Sequence, residues 1–141
     1  MAPSKLFKLG NGERGLGIDR ASSEEFKALL RKFVEEEPEL RCCAVISKKG
    51  NVVASAQSGG VDESYVGAVA AVLMALGERA SKSFMTGALK RAFIESENTY
   101  LVAEYLTPEL ILAVLVEGLK LGALFIRLNR FVGELKKALG V

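Results

Sequence analysis

The chain has 141 residues, with 19 lysines and arginines against 17 aspartates and glutamates, a balance that excludes nucleic-acid binding through bulk positive charge. It has no histidine and only two cysteines, Cys42 and Cys43, so we expect no disulfide framework, no metal site and no cofactor. The longest uncharged apolar run, residues 65–77, is too short to span a bilayer. These features predict a cytoplasmic protein with one folded domain.

The N-terminal stretch, residues 1–21, carries scattered glycines and charges and is predicted to be a flexible arm before a domain over residues 22–141. Residues 10–15 match the dinucleotide-binding pattern G-x-G-x-x-G. That pattern holds a pyrophosphate only where it joins a strand directly to a helix, and neither flanks it here. A flexible tail is therefore favoured over a nucleotide site.

The first helix is predicted to start at a capping box over residues 22–25 and to stop at Pro38. Three glutamates at its C-terminal end, residues 35–37, are interpreted as a solvated helix end rather than a metal site. Residues 42–47 and 52–56 then form a β-hairpin. Because neighbouring side chains of a strand face opposite ways, Cys42 and Cys43 are expected to be separate buried fillers and not a redox pair.

The middle helix, residues 61–84, is apolar on two sides. Asp62 is its expected N-cap, and one apolar stripe is expected to cover the sheet: Val66, Val69, Ala70, Leu73, Gly77, Ala80 and Phe84. A helix without a polar side needs cover on both sides. We therefore predict that the opposite side meets the same helix of a second chain through Ala68, Ala71, Val72 and Ala75, with Glu78 and Arg79 paired across the twofold axis.

Three further strands are expected over residues 88–95, 99–106 and 110–117. The last is unbroken apolar sequence, as in a central strand buried on both faces. The first mixes charged and apolar residues, which is typical of an edge strand, and its interface residues are predicted to be Leu89, Arg91, Phe93 and Glu95. A final helix over residues 120–139 presents a basic face that is interpreted as solvated: Lys120, Arg127, Arg130, Lys136 and Lys137.

The fold class that follows is α/β: a single five-stranded, mainly antiparallel sheet with helices on both faces, in the order α-β-β-α-β-β-β-α. Four stretches of this sandwich resemble the roadblock family, the dynein light chain roadblock type of domain: CAVISKKGNVVAS, VDESYVGAVAAVLMALGERASK, IESENTYLVAEYL and LILAVLVEGLKLGALFIRL. The resemblance covers roughly residues 24–139 and leaves out the glycine-containing arm.

The resemblance implies a homodimer, or a heterodimer with a second roadblock-like chain. In such a dimer the middle helices pack together and the third strands pair into one ten-stranded sheet. It also implies a small Ras-like GTPase as partner, or a motor or scaffold complex. In one bacterial branch of the family, the dimer activates its GTPase without donating a catalytic arginine.

The function predicted from the sequence is a non-catalytic interaction module that regulates or scaffolds a small GTPase. No catalytic residue is assigned, because histidine, a Walker A sequence and a G-x-S-x-G sequence are all missing. Two alternatives stay open. One is a small-molecule-sensing α/β domain, and the other is a structural subunit of a larger scaffold or motor complex.

Overall fold

The computed structural model describes residues 20–141. Its elements follow the predicted order: α1 (Arg20–Glu36), β1 (Leu40–Ser47), β2 (Val52–Gln57), α2 (Glu63–Phe84), β3 (Arg91–Glu95), β4 (Thr99–Thr107), β5 (Leu110–Glu117) and α3 (Leu121–Leu139). The five strands form one sheet in the order β2-β1-β5-β4-β3, and each neighbouring pair is antiparallel. The predicted fold class is confirmed.

Strand β5 lies at the centre of the sheet, as its unbroken apolar sequence predicts. Helices α1 and α3 cover one face of the sheet, where the Phe33 and Phe131 rings stack with their centroids 4.1 Å apart. Helix α2 covers the other face through a smaller core that includes Ile46, Met74 and Ile111. Cys42 belongs to the core under α2 and Cys43 to the core under α1 and α3, so the two thiols do point apart.

Helix α2 begins where the sequence places it. The Asp62 side chain accepts hydrogen bonds from the backbone N–H groups of Ser64 and Tyr65, at 3.1 and 3.3 Å. At the other end, Met85 adopts a left-handed backbone (φ 53°), and its N–H donates to a carbonyl of the last turn. At both ends of this 22-residue helix, hydrogen bonds therefore satisfy some of the backbone N–H and C=O groups that have no partner within the helix.

The start of α1 corrects the capping-box prediction. The helix already includes Arg20 and Ala21, and Ser23 is buried within it. The rest of the predicted arm, with the glycine pattern at residues 10–15, lies outside the described residues.

At the acidic end of α1, Glu35 and Glu36 are exposed as predicted, but Glu37 is not solvated. The Glu37 carboxylate lies 2.9 Å from Arg127 Nε and 3.2 Å from Arg130 Nη2, and its side chain is only 15% exposed. Arg127 also lies 3.7 Å from a Glu39 carboxylate oxygen. The two helices lie side by side on one face of the sheet, so the acidic end of α1 meets the basic face of α3. The basic face of α3 is therefore only partly solvated: Arg130 and Lys137 are exposed, while Arg127 is half-buried against Glu37.

Candidate functional site

Helix α2 exposes apolar side chains on the side away from the sheet. Val72 is 69% exposed and Leu76 is 63% exposed. We call this surface the outer face of α2, and it comprises Ala68, Val69, Val72, Leu73, Ala75 and Leu76. Side chains of this size are ordinarily buried, and contiguous exposed apolar residues mark interaction surfaces.

The outer face of α2 continues onto the edge strand β3. A groove of about 350 Å³ is lined by Ile94 of β3 together with residues of the outer face, and none of the described residues that line it is charged. Ile94 is itself 42% exposed. The helix and the sheet edge therefore form one apolar surface.

Strand β3 lies at the end of the sheet and has backbone groups open on one side. The Tyr105 N–H donates to the Lys90 carbonyl at 3.4 Å, and the Ser96 N–H donates to the Thr99 carbonyl at 2.8 Å. With Arg91 opposite Glu104, the even-numbered residues of β3 therefore bond to β4. The backbone N–H and C=O groups of Arg91, Phe93 and Glu95 point outward, and no strand of the described chain pairs with them.

The side chains of β3 divide between the two faces of the sheet. On the α3 side, the Arg91 guanidinium lies 5.0 Å from the centroid of the Phe125 ring, and Phe93 meets the same ring edge-on at 6.0 Å. The Glu95 carboxylate accepts a hydrogen bond from the Tyr100 hydroxyl at 3.2 Å. Ile94 turns to the α2 side and joins the groove.

The predicted residues of the middle helix fall in different places. Ala68, Val72 and Ala75 are exposed on the outer face. Ala71 is buried in the core under α2, so its assignment to the outer side was wrong. Phe84, expected against the sheet, is 75% exposed. Two residues of the predicted stripe, Val66 and Ala70, are buried. The other buried residues of α2 each follow a stripe residue by one position, and burial ends well before Phe84: Gly67, Ala71 and Met74.

Glu78 turns towards the end of the sheet. Its carboxylate lies 4.0 Å from Lys48 Nζ and is close enough to Tyr105 to influence its titration. Burial raises the pKa of Tyr105 to about 12, and the neighbouring Glu78 carboxylate adds to that rise. Glu78 thus has partners within its own chain. Arg79 is exposed and makes no ion pair within residues 20–141.

Leu89 precedes β3 and packs against Gly77 of α2, so it lies beside the sheet edge and not within the strand. Sequence reasoning missed Leu76 and Ile94 as members of the apolar surface, and it assigned Val69 and Leu73, which also line the groove, to the sheet side. The signal for Leu76 was its spacing four residues after Val72, on the same side of the helix. Ile94 is brought to the groove by the packing of α2 on β3, which the sequence pattern does not show.

The described residues were also compared with the requirements of a metal site and of a membrane-spanning helix. Nowhere in residues 20–141 do three or more His, Cys, Asp or Glu side chains come together as metal ligands. None of the helices in this part of the chain is both long and apolar enough to cross a membrane. The apolar surface of α2 and β3 is the candidate functional site.

Comparison with known proteins identifies the family of the chain. The sequence pattern of the Roadblock/LC7 domain matches residues 26–116, which is most of the chain. The chain belongs to the Roadblock/LC7 domain family. This match includes α2 and β3 whole and ends within β5. Comparison with curated protein sequences finds no match.

Solved structures share the Roadblock/LC7 fold. Gliding protein MglB from Thermus thermophilus is 16% identical, with a TM-score of 0.74 over 85% of this chain and 92% of that one. An MglB with tetrameric arrangement has the same identity and TM-score, over 85% of this chain and 91% of its own. A Roadblock/LC7 domain from Streptomyces avermitilis is 26% identical, with a TM-score of 0.61 over 78% and 97% of the two chains.

Proposed function

We propose that this Roadblock/LC7 domain acts as a dimer, formed with an identical copy or with a second roadblock-like chain. The observation that carries the proposal is the continuous apolar surface of the outer face of α2 and Ile94, next to an open strand edge. A structure of an MglB with tetrameric arrangement supports self-association in proteins of this fold.

The outer face of α2 is suited to a second copy of the same helix. Ala68 and Ala75 have small side chains that allow two helices to approach closely, while Val72 and Leu76 supply apolar area. Full burial of an exposed valine or leucine contributes about 1.5–3 kcal/mol. Because both copies contribute the same residues, the contact is self-complementary about a twofold axis.

The open edge of β3 has a sequence that complements itself. In antiparallel pairing centred on Phe93, Arg91 of each chain would stand opposite Glu95 of the other, and their outward backbone groups would bond. Opposite charges in directly facing positions stabilise a strand pair, by about 0.2–1 kcal/mol each. Pairing of this kind would also remove the unprotected sheet edge.

The partner that we infer for the dimer is a small Ras-like GTPase in the cytoplasm. Family membership and the similarity to MglB structures support this assignment. We assign the domain no catalytic residue or cofactor of its own. It would regulate the GTPase, or hold it in a complex, by binding.

Two measurements test this function. Light scattering of the unaltered chain at micromolar concentration should give the mass of a dimer, and a monomer would contradict the proposal. With candidate small GTPases from the same source, the dimer should form a complex or raise GTP turnover, while the dimer alone should hydrolyse no GTP. Turnover by the dimer alone would instead indicate an enzyme.

A further inference from the structure

A second cavity lies at one end of the sheet, away from the groove of α2 and β3. It has a volume of about 470 Å³ and is walled by the last turns of α2, the loop before β3, the end of β4 and the turn after β1. This volume falls within the range of about 300–1,000 Å³ that is usual for small-ligand sites. The cavity is therefore large enough for a metabolite.

The charges of this cavity come from separate parts of the chain. Its cations are Lys48 from the turn after β1, Lys82 from α2 and Lys136 from α3, and among residues 20–141 Glu78 is the one carboxylate that lines it. Folding brings these three lysines to one cavity, since long stretches of sequence separate them. The lining groups leave a net charge of two positive units, which favours an anion of matching charge.

One side of the cavity is held in place. Lys48 Nζ lies 4.0 Å from the Glu78 carboxylate and 5.7 Å from the centroid of the Tyr105 ring. The other two cations are unengaged: within residues 20–141, no carboxylate lies within ion-pair distance of Lys82 or Lys136. Two ammonium groups are thus available to a ligand beside an ordered wall.

We propose that this cavity binds a small molecule that carries a phosphate group. Among the described residues, its cations are lysines, which bind phosphate as point charges, and its net charge of two positive units matches the charge of about −1.5 to −2 on a phosphate monoester. The hydroxyls of Ser81 and Thr107 line the same space as further donors, and Leu89 and Pro108 give it an apolar wall for the remainder of the molecule.

The test is calorimetric titration of the full chain with inorganic pyrophosphate at low ionic strength. We expect saturable binding that Lys82→Ala and Lys136→Ala each weaken about tenfold, the effect of losing one charge-assisted hydrogen bond. The matched control is Lys137→Ala, which removes the same charge from the neighbouring position of α3, outside the cavity. This control should bind as the unaltered chain does, and thermal melting should show all three variants folded.

Two results would overturn the proposal. Pyrophosphate could fail to bind, or Lys137→Ala could weaken binding as much as Lys136→Ala, which would show general charge attraction only. If pyrophosphate fails but an oligoglutamate peptide binds through the same lysines, the cavity is instead a contact for an acidic protein segment. Binding that depends on Lys82 and Lys136 but not on Lys137 supports the phosphate site.

Discussion

Arg91 Nε lies 3.0 Å from a carboxylate oxygen of Glu104, where edge strand β3 meets β4. The Glu104 side chain is 6% exposed and that of Arg91 is 22% exposed, so this ion pair is largely removed from water. The two atoms are at ion-pair distance but are not aligned for a hydrogen bond. Arg91 is thus the only cation within ion-pair distance of this buried carboxylate among residues 20–141, and it ties the strand edge to the sheet.

Removing Arg91 should destabilise the fold. Arg91→Met leaves the buried Glu104 carboxylate without its cation, and breaking a buried pair in this way costs about 3 kcal/mol. Urea denaturation should show this loss in the free energy of unfolding. The double variant Arg91→Met with Glu104→Leu should recover most of it, because no charge then stays buried. Equal stability of the single and double variants would show that the ion pair is not what Arg91 contributes.

Two glycines of α2 should respond differently to alanine. A Cβ on Gly67 would lie 3.0 Å from the Gly50 carbonyl oxygen, whereas a Cβ on Gly77 would meet a terminal methyl of Leu89 at 2.9 Å. Alanine adds about 1 kcal/mol of helix propensity at either site. Gly67→Ala should still lose about 1 kcal/mol net because backbone must shift, while Gly77→Ala should be near neutral because the Leu89 side chain can rotate. Chemical denaturation of the two variants compares them, and the opposite ranking would contradict the tight contact at Gly67.

The two cysteines should be inert in the folded protein. Burial raises the pKa of Cys42 from its ordinary 9.0 to about 12, with the charge of Glu63 adding to the rise, and burial raises the pKa of Cys43 further still. The reactive thiolate should therefore be almost absent at pH 8. A thiol reagent should label neither cysteine in buffer and both in denaturant. Fast labelling of the folded chain would show that one of the thiols is accessible.

The same thiols give a pH dependence with a defined sign. The unfolded chain loses the Cys42 proton near pH 9.0 and the folded chain only near 12, so the folded state holds this proton more tightly. Their contribution to stability is complete below pH 9.0 and falls as the pH rises towards 12, by about 1.4 kcal/mol per pH unit for one group. Urea melts between pH 8 and 11 should show this decline, and Cys42→Ala should reduce its slope.

The outer face of α2 can be tested apart from the core beneath it. Val72→Glu and Ala75→Glu place a charge at exposed positions, so each should give folded monomers by light scattering and circular dichroism. Ala71→Glu places the charge in the core and should unfold the chain instead. Lys137→Glu changes an exposed residue of α3 and should leave the mass unchanged. Dimers of Val72→Glu as stable as those of the unaltered chain would contradict the proposed interface.

Local patterns predicted most of this fold. The apolar run of β5 indicated a central strand, and Asp62 marked the start of α2, because each feature depends on neighbours in sequence. The sequence did not predict as clearly which side of α2 packs against the sheet. A helix with alanine, valine and glycine on every side has no sharp apolar stripe, so Ala71 could be assigned to either side until the sheet was in place.

Contacts between distant residues could not be predicted in the same way. The pairing of Glu37 with Arg127 joins positions 90 residues apart, and each side chain alone resembles an ordinary solvated charge. Ile94 reaches the candidate site only because α2 crosses the edge strand. The sequence identified the helix and the edge strand that make the surface, but the surface itself depends on their packing.

The register of β3 in the proposed dimer can be measured with single cysteines. Facing residues that exchange two backbone hydrogen bonds lie about 5.5 Å apart at their Cα atoms, within the range of a disulfide. Pairing centred on Phe93 predicts that Phe93→Cys forms an intermolecular disulfide fastest under mild oxidation. The native Cys42 and Cys43 are buried and should give little background.

Ala92→Cys and Ile94→Cys are the matched controls, because each would stand opposite its own copy only if the register moved. Fastest cross-linking at either position would show edge pairing in a different register, and Arg91 would then not face Glu95. If no variant cross-links while light scattering still reports a dimer, the chains associate without pairing β3, and the outer face of α2 alone would have to hold them together.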